Sequence, residues 1–228
     1  MHNETPIEDP VTHMTRALQL WVALPEANLR DEPGYKDVLS STCPIATPSP
    51  GVSVKIIAGS SFGAEAPILT RAPVWYLDIT MQPDTTLSHP VPHGWNVFVI
   101  VLGGKPSVAG KECVPHETTF FEKEGEVVEL ANQGKENARI IFIAGDPLTG
   151  QEVHRYGPFV STSKAGISKA LMDYRMVSLL FWKGILMDTN AWGSQLMGLR
   201  IMIGRVRGFI TNERSCGGKQ HKMLVLFA

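Results

Sequence analysis

The residues best suited to metal chemistry stand at the start of the chain, in the stretch MHNETP. His2 and Glu4 are two positions apart, so on a β-strand their imidazole and carboxylate would point to the same face. A first-row metal such as Fe(II) accepts both kinds of donor. Spacing alone equally allows a solvated chain terminus, because an iron site needs about three protein ligands.

The remaining histidines do not form a recognisable metal motif with this pair. They are His13, His89, His93, His116, His154 and His221. The sequence contains no His-x-His and no His-Glu-x-x-His. In SHPVPHGW the prolines and the glycine predict a turn, so we expect His89 and His93 to be exposed. His116 and Glu117 are adjacent and would point to opposite faces of a strand.

Other catalytic signatures are missing from the sequence. There is no Gly-x-Ser-x-Gly elbow, phosphate-binding loop or dinucleotide fingerprint. No base marks Cys43 as a nucleophile, and we expect Arg71 to pair with an acidic residue. The stretch YGPFV, residues 156–160, predicts a turn that holds a loop on the sheet rather than a binding site.

The composition indicates an intracellular globular protein. Three widely spaced cysteines, Cys43, Cys113 and Cys216, argue against a disulfide framework and a zinc ribbon, and favour a reducing compartment. No secretory signal or apolar run of about 18 residues is visible. The net charge of -1 hides an asymmetry, since residues 1–174 hold 13 Lys and Arg against 20 Asp and Glu, while residues 175–228 hold 8 against 2.

The elements that must position these residues are predicted to be mainly strands. Short β-branched and aromatic runs separated by Gly, Pro, Asn and Asp extend from residue 18 to residue 145. They are ALQLWVAL, VSVKIIA, VWYLDITM, NVFVIVLGG, EVVELANQG and ARIIFIAGDP. The third run alternates and predicts one buried face, whereas VFVIVL and IIFIA are apolar on both faces and predict central strands. The pattern favours a sandwich or a small barrel.

The flanking segments carry different signals. The Pro-rich stretch between the first two runs predicts an extended connector rather than a helix. A helix is predicted from about Ser163 to Tyr174, with Thr162 or Ser163 as its N-cap. The segment after Tyr174 is rich in Met, Leu, Ile and Gly and shows neither clean periodicity nor caps.

Several of these stretches together resemble the pirins, a family of proteins with two cupin domains. The matching segments are LQLWVALP, EPGYKDV, VKIIAGSSFG, TRAPVWYLDITMQP, PVPHGWNVFVIVLGG and FIAGDPLTGQEVHRYGPFVSTSKAGISKALMDY. They follow the family's order from residue 1 to about residue 174. The resemblance implies an all-β fold, a cupin-type β-sandwich or jelly roll with a C-terminal helix.

The resemblance also implies a division of the chain. Residues 1–17 would be a remnant of the N-terminal cupin, residues 18–50 a strand and Pro-rich crossover, and residues 51–174 the C-terminal cupin. Residues 175–228 have no counterpart and would form a basic, apolar and poorly ordered tail. The abrupt change at Arg175 or Met176 suggests a truncated or alternatively joined product. A tail lying on an acidic membrane surface or another subunit is the alternative.

The family's metal, usually iron, is held in the N-terminal cupin by three histidines and one glutamate. His2 and Glu4 match the family's later His-x-Glu pair, and the His-x-His strand that completes the site is absent from this chain. With two further His ligands missing, we expect no bound iron, or weakly bound iron.

Two functions follow from the resemblance, together with a third possibility. We expect a pirin-like binding module of the transcription-cofactor kind, in the nucleus or cytoplasm, with a protein partner and no direct nucleic acid contact. The alternative is an iron-dependent quercetin 2,3-dioxygenase whose cage is completed by His13, a longer chain or a partner. The third possibility is a defective gene product whose bare apolar face leads to aggregation.

Overall fold

A computed structural model describes residues 18–29, 31, 36, 38–68, 70–182 and 223–226 of the chain. Within this part, residues 23–151 form one compact unit, while residues 18–22, 152–182 and 223–226 belong to a second. The strands are β1 (Leu18–Trp21), β2 (Ile45–Ser49), β3 (Val52–Ala58), β4 (Ser60–Ser61), β5 (Ala64–Glu65), β6 (Val74–Met81), β7 (Thr85–Pro90), β8 (Asn96–Gly103), β9 (Ser107–Val108), β10 (Lys111–Glu112), β11 (Thr118–Phe120), β12 (Val127–Asn132), β13 (Ala138–Gly145), β14 (His154–Tyr156), β15 (Phe159–Ser161) and β16 (Met223–Leu226). One α-helix, α1 (Lys164–Trp182), is also described.

The larger unit is a sandwich of two antiparallel sheets. One sheet has six strands in the order β11-β8-β13-β6-β3-β2, and the other has four in the order β10-β9-β12-β7. Side chains from both sheets share one apolar core. The core residues of the larger sheet include Val54, Leu77, Ile79, Val99 and Phe142, and those of the smaller sheet include Leu87, Val108, Val128 and Leu130. The predicted all-β sandwich with a C-terminal helix is therefore confirmed.

The predicted faces of the sheet strands are correct. In β6, Leu77, Ile79 and Met81 are fully buried in the core, while Asp78 points to the opposite face and accepts two hydrogen bonds from Arg139 at 3.0 and 2.7 Å. β13 lies between β8 and β6. Ile140 and Phe142 face the core, and Ile141 and Ile143 on the opposite face are also buried, which explains the continuous apolar run.

The Pro-rich connector contains more regular structure than the sequence predicts. Two single 3-10 turns, Glu26–Asn28 and Ser40–Thr42, interrupt it, and β2 occupies its last part. β2 contains Pro48, which cannot donate a ladder hydrogen bond. The strand tolerates this proline because it lies at the edge of the sheet and its register with β3 shifts between Ala46 and Ser49.

The second unit contains two strand pairs and the helix. β1 pairs in parallel with β16, and β14 and β15 form a hairpin around the turn predicted at residues 156–160. The ring of Phe159 lies edge-on to that of Tyr174 in α1, with centroids 5.7 Å apart. This contact holds the hairpin against the helix, whereas the sequence predicted a turn that holds a loop on the sheet.

The helix starts as predicted but ends later. Ser163 is the N-cap, since its Oγ accepts the Gly166 N–H at 3.0 Å. The predicted end near Tyr174 is wrong, because α1 continues to Trp182. The residues from 175 to 182 contain neither Gly nor Pro, so nothing in them stops a helix. No helix in the described part of the chain is both long and apolar enough to span a membrane.

Candidate functional site

The sandwich interior contains a buried histidine, His89. It lies in β7, where Leu87 and His89 alternate toward the core, and it is only 1% exposed. The prediction of an exposed turn histidine is therefore wrong. The turn begins after Pro90, so the strand before it still follows the two-residue alternation that buries position 89.

Both ring nitrogens of His89 are engaged in hydrogen bonds. Nδ1 lies 2.8 Å from the carbonyl oxygen of Pro90. A carbonyl can only accept, so Nδ1 carries the proton, and in the neutral ring Nε2 is then the acceptor. Ser61 Oγ lies 2.9 Å from Nε2 and donates to it. The tautomer of His89 follows from these partners.

Burial also fixes the charge of this imidazole. Removal of the ring from water lowers the pKa of His89, because the protonated form loses its hydration. The hydrogen bond to the Pro90 carbonyl opposes this shift but is the smaller cause. His89 is accordingly neutral near pH 7, which agrees with an Nε2 that accepts a hydrogen bond from Ser61.

Aromatic rings surround the His89 ring of the Ser61–His89 pair. The centroids of Phe62, Trp75 and Phe142 lie 5.1, 5.6 and 4.6 Å from that of His89. Phe62 occupies the turn of the β4–β5 hairpin with a positive φ of 47°, which places its ring beside the imidazole. The site is a polar pair inside an apolar, aromatic shell.

A small cavity lies beside this aromatic shell. A cavity of about 80 Å³ is lined by Trp95 and Phe121, among others. Trp95 packs on Trp75 with ring centroids 5.0 Å apart, and Trp75 in turn contacts His89. His89 and Ser61 do not line the cavity, so it offers a concave surface without access to the interior pair.

The described residues do not fit a bound iron ion. No group of three or more His, Cys, Asp or Glu side chains among them is arranged to hold a metal. His89 is surrounded by aromatic rings and a serine hydroxyl, and none of these replaces a carboxylate or an imidazole as an iron ligand. The predicted ligands His2 and Glu4, and the possible partner His13, lie outside the described residues.

The other two histidines of the larger unit, His93 and His116, are exposed. His93 is exposed, as predicted. His116 is exposed in a turn with a φ of 73°, and its neighbour Glu117 accepts hydrogen bonds from the Val114 N–H and Lys111. These bonds, the Val114 one first, lower the pKa of Glu117. Both residues therefore have a structural role here.

Arg71 and the cysteines also behave as the sequence predicts. Arg71 forms an ion pair with Asp31, a partner 40 residues away. Hydrogen bonds from Asn28 and then Arg71 lower the pKa of Asp31. Cys43 and Cys113 are buried free thiols. Cys216 lies outside the described residues.

Ser61 is the residue that the sequence analysis missed. Its hydroxyl meets His89 across 28 positions of sequence, so no local motif joins them. The one available signal was the alternation in TTLSHP, which places His89 on the same strand face as Leu87. That alternation predicts a buried histidine, and a buried histidine requires a polar partner.

The sandwich of a six-stranded and a four-stranded antiparallel sheet around one core is that of a cupin. Comparison with protein families narrows this class, because residues 76–179 match the pirin C-terminal cupin domain. Over this part of its length the chain is a relative of the pirins, which confirms the resemblance.

Individual relatives agree with this assignment. Pirin-like protein 2 of Arabidopsis thaliana is 35% identical over 181 residues, which cover 76% of this chain and 54% of the relative. Human pirin is 33% identical over 179 residues, covering 77% of this chain and 60% of the relative. The chain thus spans little more than half the length of these relatives.

Solved structures show the same partial match. A quercetin 2,3-dioxygenase from Acinetobacter baumannii is 25% identical, with a TM-score of 0.63 over 68% of this chain and 54% of that one. A protein from Geobacillus kaustophilus is 30% identical, with a TM-score of 0.52 over 57% of this chain and 53% of that one.

Proposed function

We propose that this chain is a pirin-like protein whose cupin is a non-catalytic binding module, similar in role to a transcription cofactor. The observation that supports it is the engagement of both His89 nitrogens, by Ser61 at 2.9 Å and by the Pro90 carbonyl at 2.8 Å. A metal at this position would have to displace one of these bonds inside an aromatic shell. The interior is therefore better suited to stabilising the fold than to chemistry.

Metal binding, under this proposal, depends on His2 and Glu4. An imidazole and a carboxylate suit iron, which in a dioxygenase supplies the redox chemistry. The 228 residues contain no His-x-His to complete the cage. We therefore propose that this chain alone binds iron weakly or not at all.

The alternative function is an iron-dependent, quercetin 2,3-dioxygenase-like enzyme. The likeness to the Acinetobacter baumannii dioxygenase favours it, since identity reaches 25% with a TM-score of 0.63. It requires further histidines from a longer chain, a partner or His13. The two functions differ in whether His2 and Glu4 belong to a complete metal site.

The proposal extends to location, partners and organisation. We place the protein in the nucleus or cytoplasm, where thiols such as Cys43 and Cys113 stay reduced, with a protein partner such as a transcription regulator and no direct nucleic acid contact. We also propose the division into residues 1–17, 18–50, 51–174 and 175–228, with the last segment as a separate basic tail.

Iron analysis of the purified full chain separates the two functions. After anaerobic incubation with Fe(II) and desalting, we expect far less than stoichiometric iron and no turnover of quercetin. The variant His2→Ala/Glu4→Ala should then resemble the wild type, as should the control His93→Ala, which changes an exposed turn histidine. Stoichiometric iron that is lost in the double variant but kept in the control would establish the enzyme alternative.

A further inference from the structure

Among the described residues, the edge of the six-stranded sheet at β11 has backbone groups without partners. In this part of the chain β11 pairs with β8, and Thr118, Thr119 and Phe120 face Ile100, Val99 and Phe98. The Val101 N–H donates to the Glu117 carbonyl at 3.0 Å, and the Phe121 N–H donates to the Val97 carbonyl at 3.1 Å.

These two bonds determine which groups point away from β8. Antiparallel pairs alternate between bonded and non-bonded, so Glu117, Thr119 and Phe121 face β8, while the N–H and C=O groups of Thr118 and Phe120 point outward. Within the described part of the chain these outward groups have no hydrogen-bond partner. β11 is therefore a free strand edge.

The three residues of β11 carry neither a charge nor a proline, and the bulge at this edge lies just before them, where Val101 bonds to both His116 and Glu117. Edge strands are commonly protected by a charged side chain, a proline or a bulge. The opposite edge, β2, has both Pro48 and a register shift, whereas β11 consists of two threonines and a phenylalanine. Phe120 is 75% exposed, and its ring lies 5.4 Å from that of Phe98 on the same sheet face. The edge presents apolar surface beside open backbone groups.

We propose that β11 pairs with β11 of a second copy of this chain, antiparallel about a two-fold axis at Thr119. In this register Thr118 of one copy lies opposite Phe120 of the other, so all the outward backbone groups are paired. The small Thr118 side chain leaves room for the Phe120 ring on the same face.

The charges near the edge are compatible with this register. Glu117 of one copy comes opposite Phe121 of the other, and Glu122 comes opposite His116. No two acidic residues between positions 116 and 122 meet across the axis, so like-charge repulsion does not oppose the pairing. The segment is self-complementary in both hydrogen bonding and charge.

The small contact area predicts a weak dimer. A strand of three residues with one exposed phenylalanine per copy buries well under the roughly 1,200 Å² that marks stable interfaces. We therefore expect dissociation constants of about 10 µM to about 1 mM. The dimer would dissociate at the low protein concentrations of routine chromatography. It would be detected only at high concentration.

Sedimentation velocity of the full chain from about 5 µM to about 500 µM tests the proposal. We expect the dimer fraction to rise with concentration.

Phe120→Lys should weaken association at least tenfold, because it removes the apolar contact and places a charge at the edge. Thr118→Pro should do the same, since it removes an outward N–H and leaves the bonds to β8 intact. Ile45→Lys, at the exposed opposite edge, should change nothing.

A monomer at all concentrations would overturn the proposal, as would a dimer that persists in both β11 variants. Circular dichroism of each variant shows whether it is folded, and Phe120→Lys provides a second test if Thr118→Pro does not fold. The inference does not depend on the metal content of the chain. Its failure would therefore leave the proposed function unaffected.

Discussion

The Ser61–His89 pair explains how the sandwich accommodates a histidine in its core. A buried polar group costs free energy unless it is hydrogen-bonded. Here each ring nitrogen has a partner, and the described part of the chain has no buried side-chain polar atom left unpaired. His89 is therefore a satisfied core residue.

Removing the Ser61 hydroxyl should destabilise the protein. In Ser61→Ala the His89 Nε2 stays buried without a donor, so we expect a loss of about 1–3 kcal/mol in the free energy of unfolding. The matched control is Ser60→Ala, which changes the exposed neighbour in the same strand and should stay within about 0.5 kcal/mol. Urea denaturation measures both. Equal losses would show that the Ser61 bond contributes nothing.

Acid should destabilise the protein through His89. Because burial lowers its pKa in the folded state, the unfolded chain takes up a proton below about pH 6.5 that the native chain does not. The free energy of unfolding should then fall by up to about 1.4 kcal/mol per pH unit until the lowered pKa is reached. Urea titrations of the wild type and His89→Gln measure this, with a weaker decline expected in the variant. Parallel declines would contradict a neutral His89.

Sequence reasoning reached only part of this site. The spacing of His2 and Glu4 can be read directly from the stretch MHNETP. The Ser61–His89 contact cannot, because it depends on β4 and β7 meeting in the folded chain. Pro90 and Pro92 predict a turn correctly but not where the preceding strand ends. A residue's burial follows from the strand register, which the local sequence does not specify.

At the scale of elements, Asn132 joins the ends of three strands. Its Nδ2 donates to the Met81 carbonyl at the end of β6 and to the Glu136 carbonyl before β13, at 3.0 and 2.8 Å. Its Oδ1 accepts the Gly134 N–H at 3.1 Å. One fully buried side chain thus fixes the turn between β12 and β13 against β6.

Replacing Asn132 should loosen that junction. Asn132→Ala leaves two carbonyls and one N–H without their partner, so we expect a loss of about 2–3 kcal/mol in the free energy of unfolding. Asn137→Ala, an exposed residue beyond the same turn, is the control and should cost under about 0.5 kcal/mol. Thermal and urea unfolding measure both variants. A loss below about 1 kcal/mol in Asn132→Ala would refute this role.

The N-cap of α1 should contribute in a similar way. Ser163→Ala removes the acceptor of the Gly166 N–H, which should cost about 1 kcal/mol of helix stability. Far-ultraviolet circular dichroism during heating measures the loss of helix. Thr162→Ala serves as the control, and an equal effect of the two changes would contradict the assignment of Ser163 as the cap.

The long alternating or apolar runs predicted their strands well, because burial of one or both faces shapes the sequence. β3 and β6 begin and end within the runs that predicted them. The short strands β2, β7 and β11 were missed. β2 and β7 contain Pro, Ser and Thr, and β11 has only three residues, so none of them forms an apolar run like those that predicted the other strands.

At the scale of the whole molecule, the described residues form a cupin sandwich, and the chain covers 54% of the Arabidopsis thaliana relative and 60% of human pirin. The fold class followed from sequence because the resemblance covers the strands that build the core. The function did not, because the sequence contains no His-x-His that would complete a metal site with His2 and Glu4. Our proposal is that the interior of this cupin holds no metal and that any iron binds through His2 and Glu4.

The most direct test is a long-range ¹H–¹⁵N spectrum of the histidine rings in the full chain, recorded before and after addition of Co(II), with His89→Gln to assign the signals. We predict that His89 Nδ1 is protonated, that Nε2 is an unprotonated acceptor, and that neither signal shifts or broadens with the metal. A protonated Nε2, or loss of the His89 signals at stoichiometric Co(II), would contradict this account.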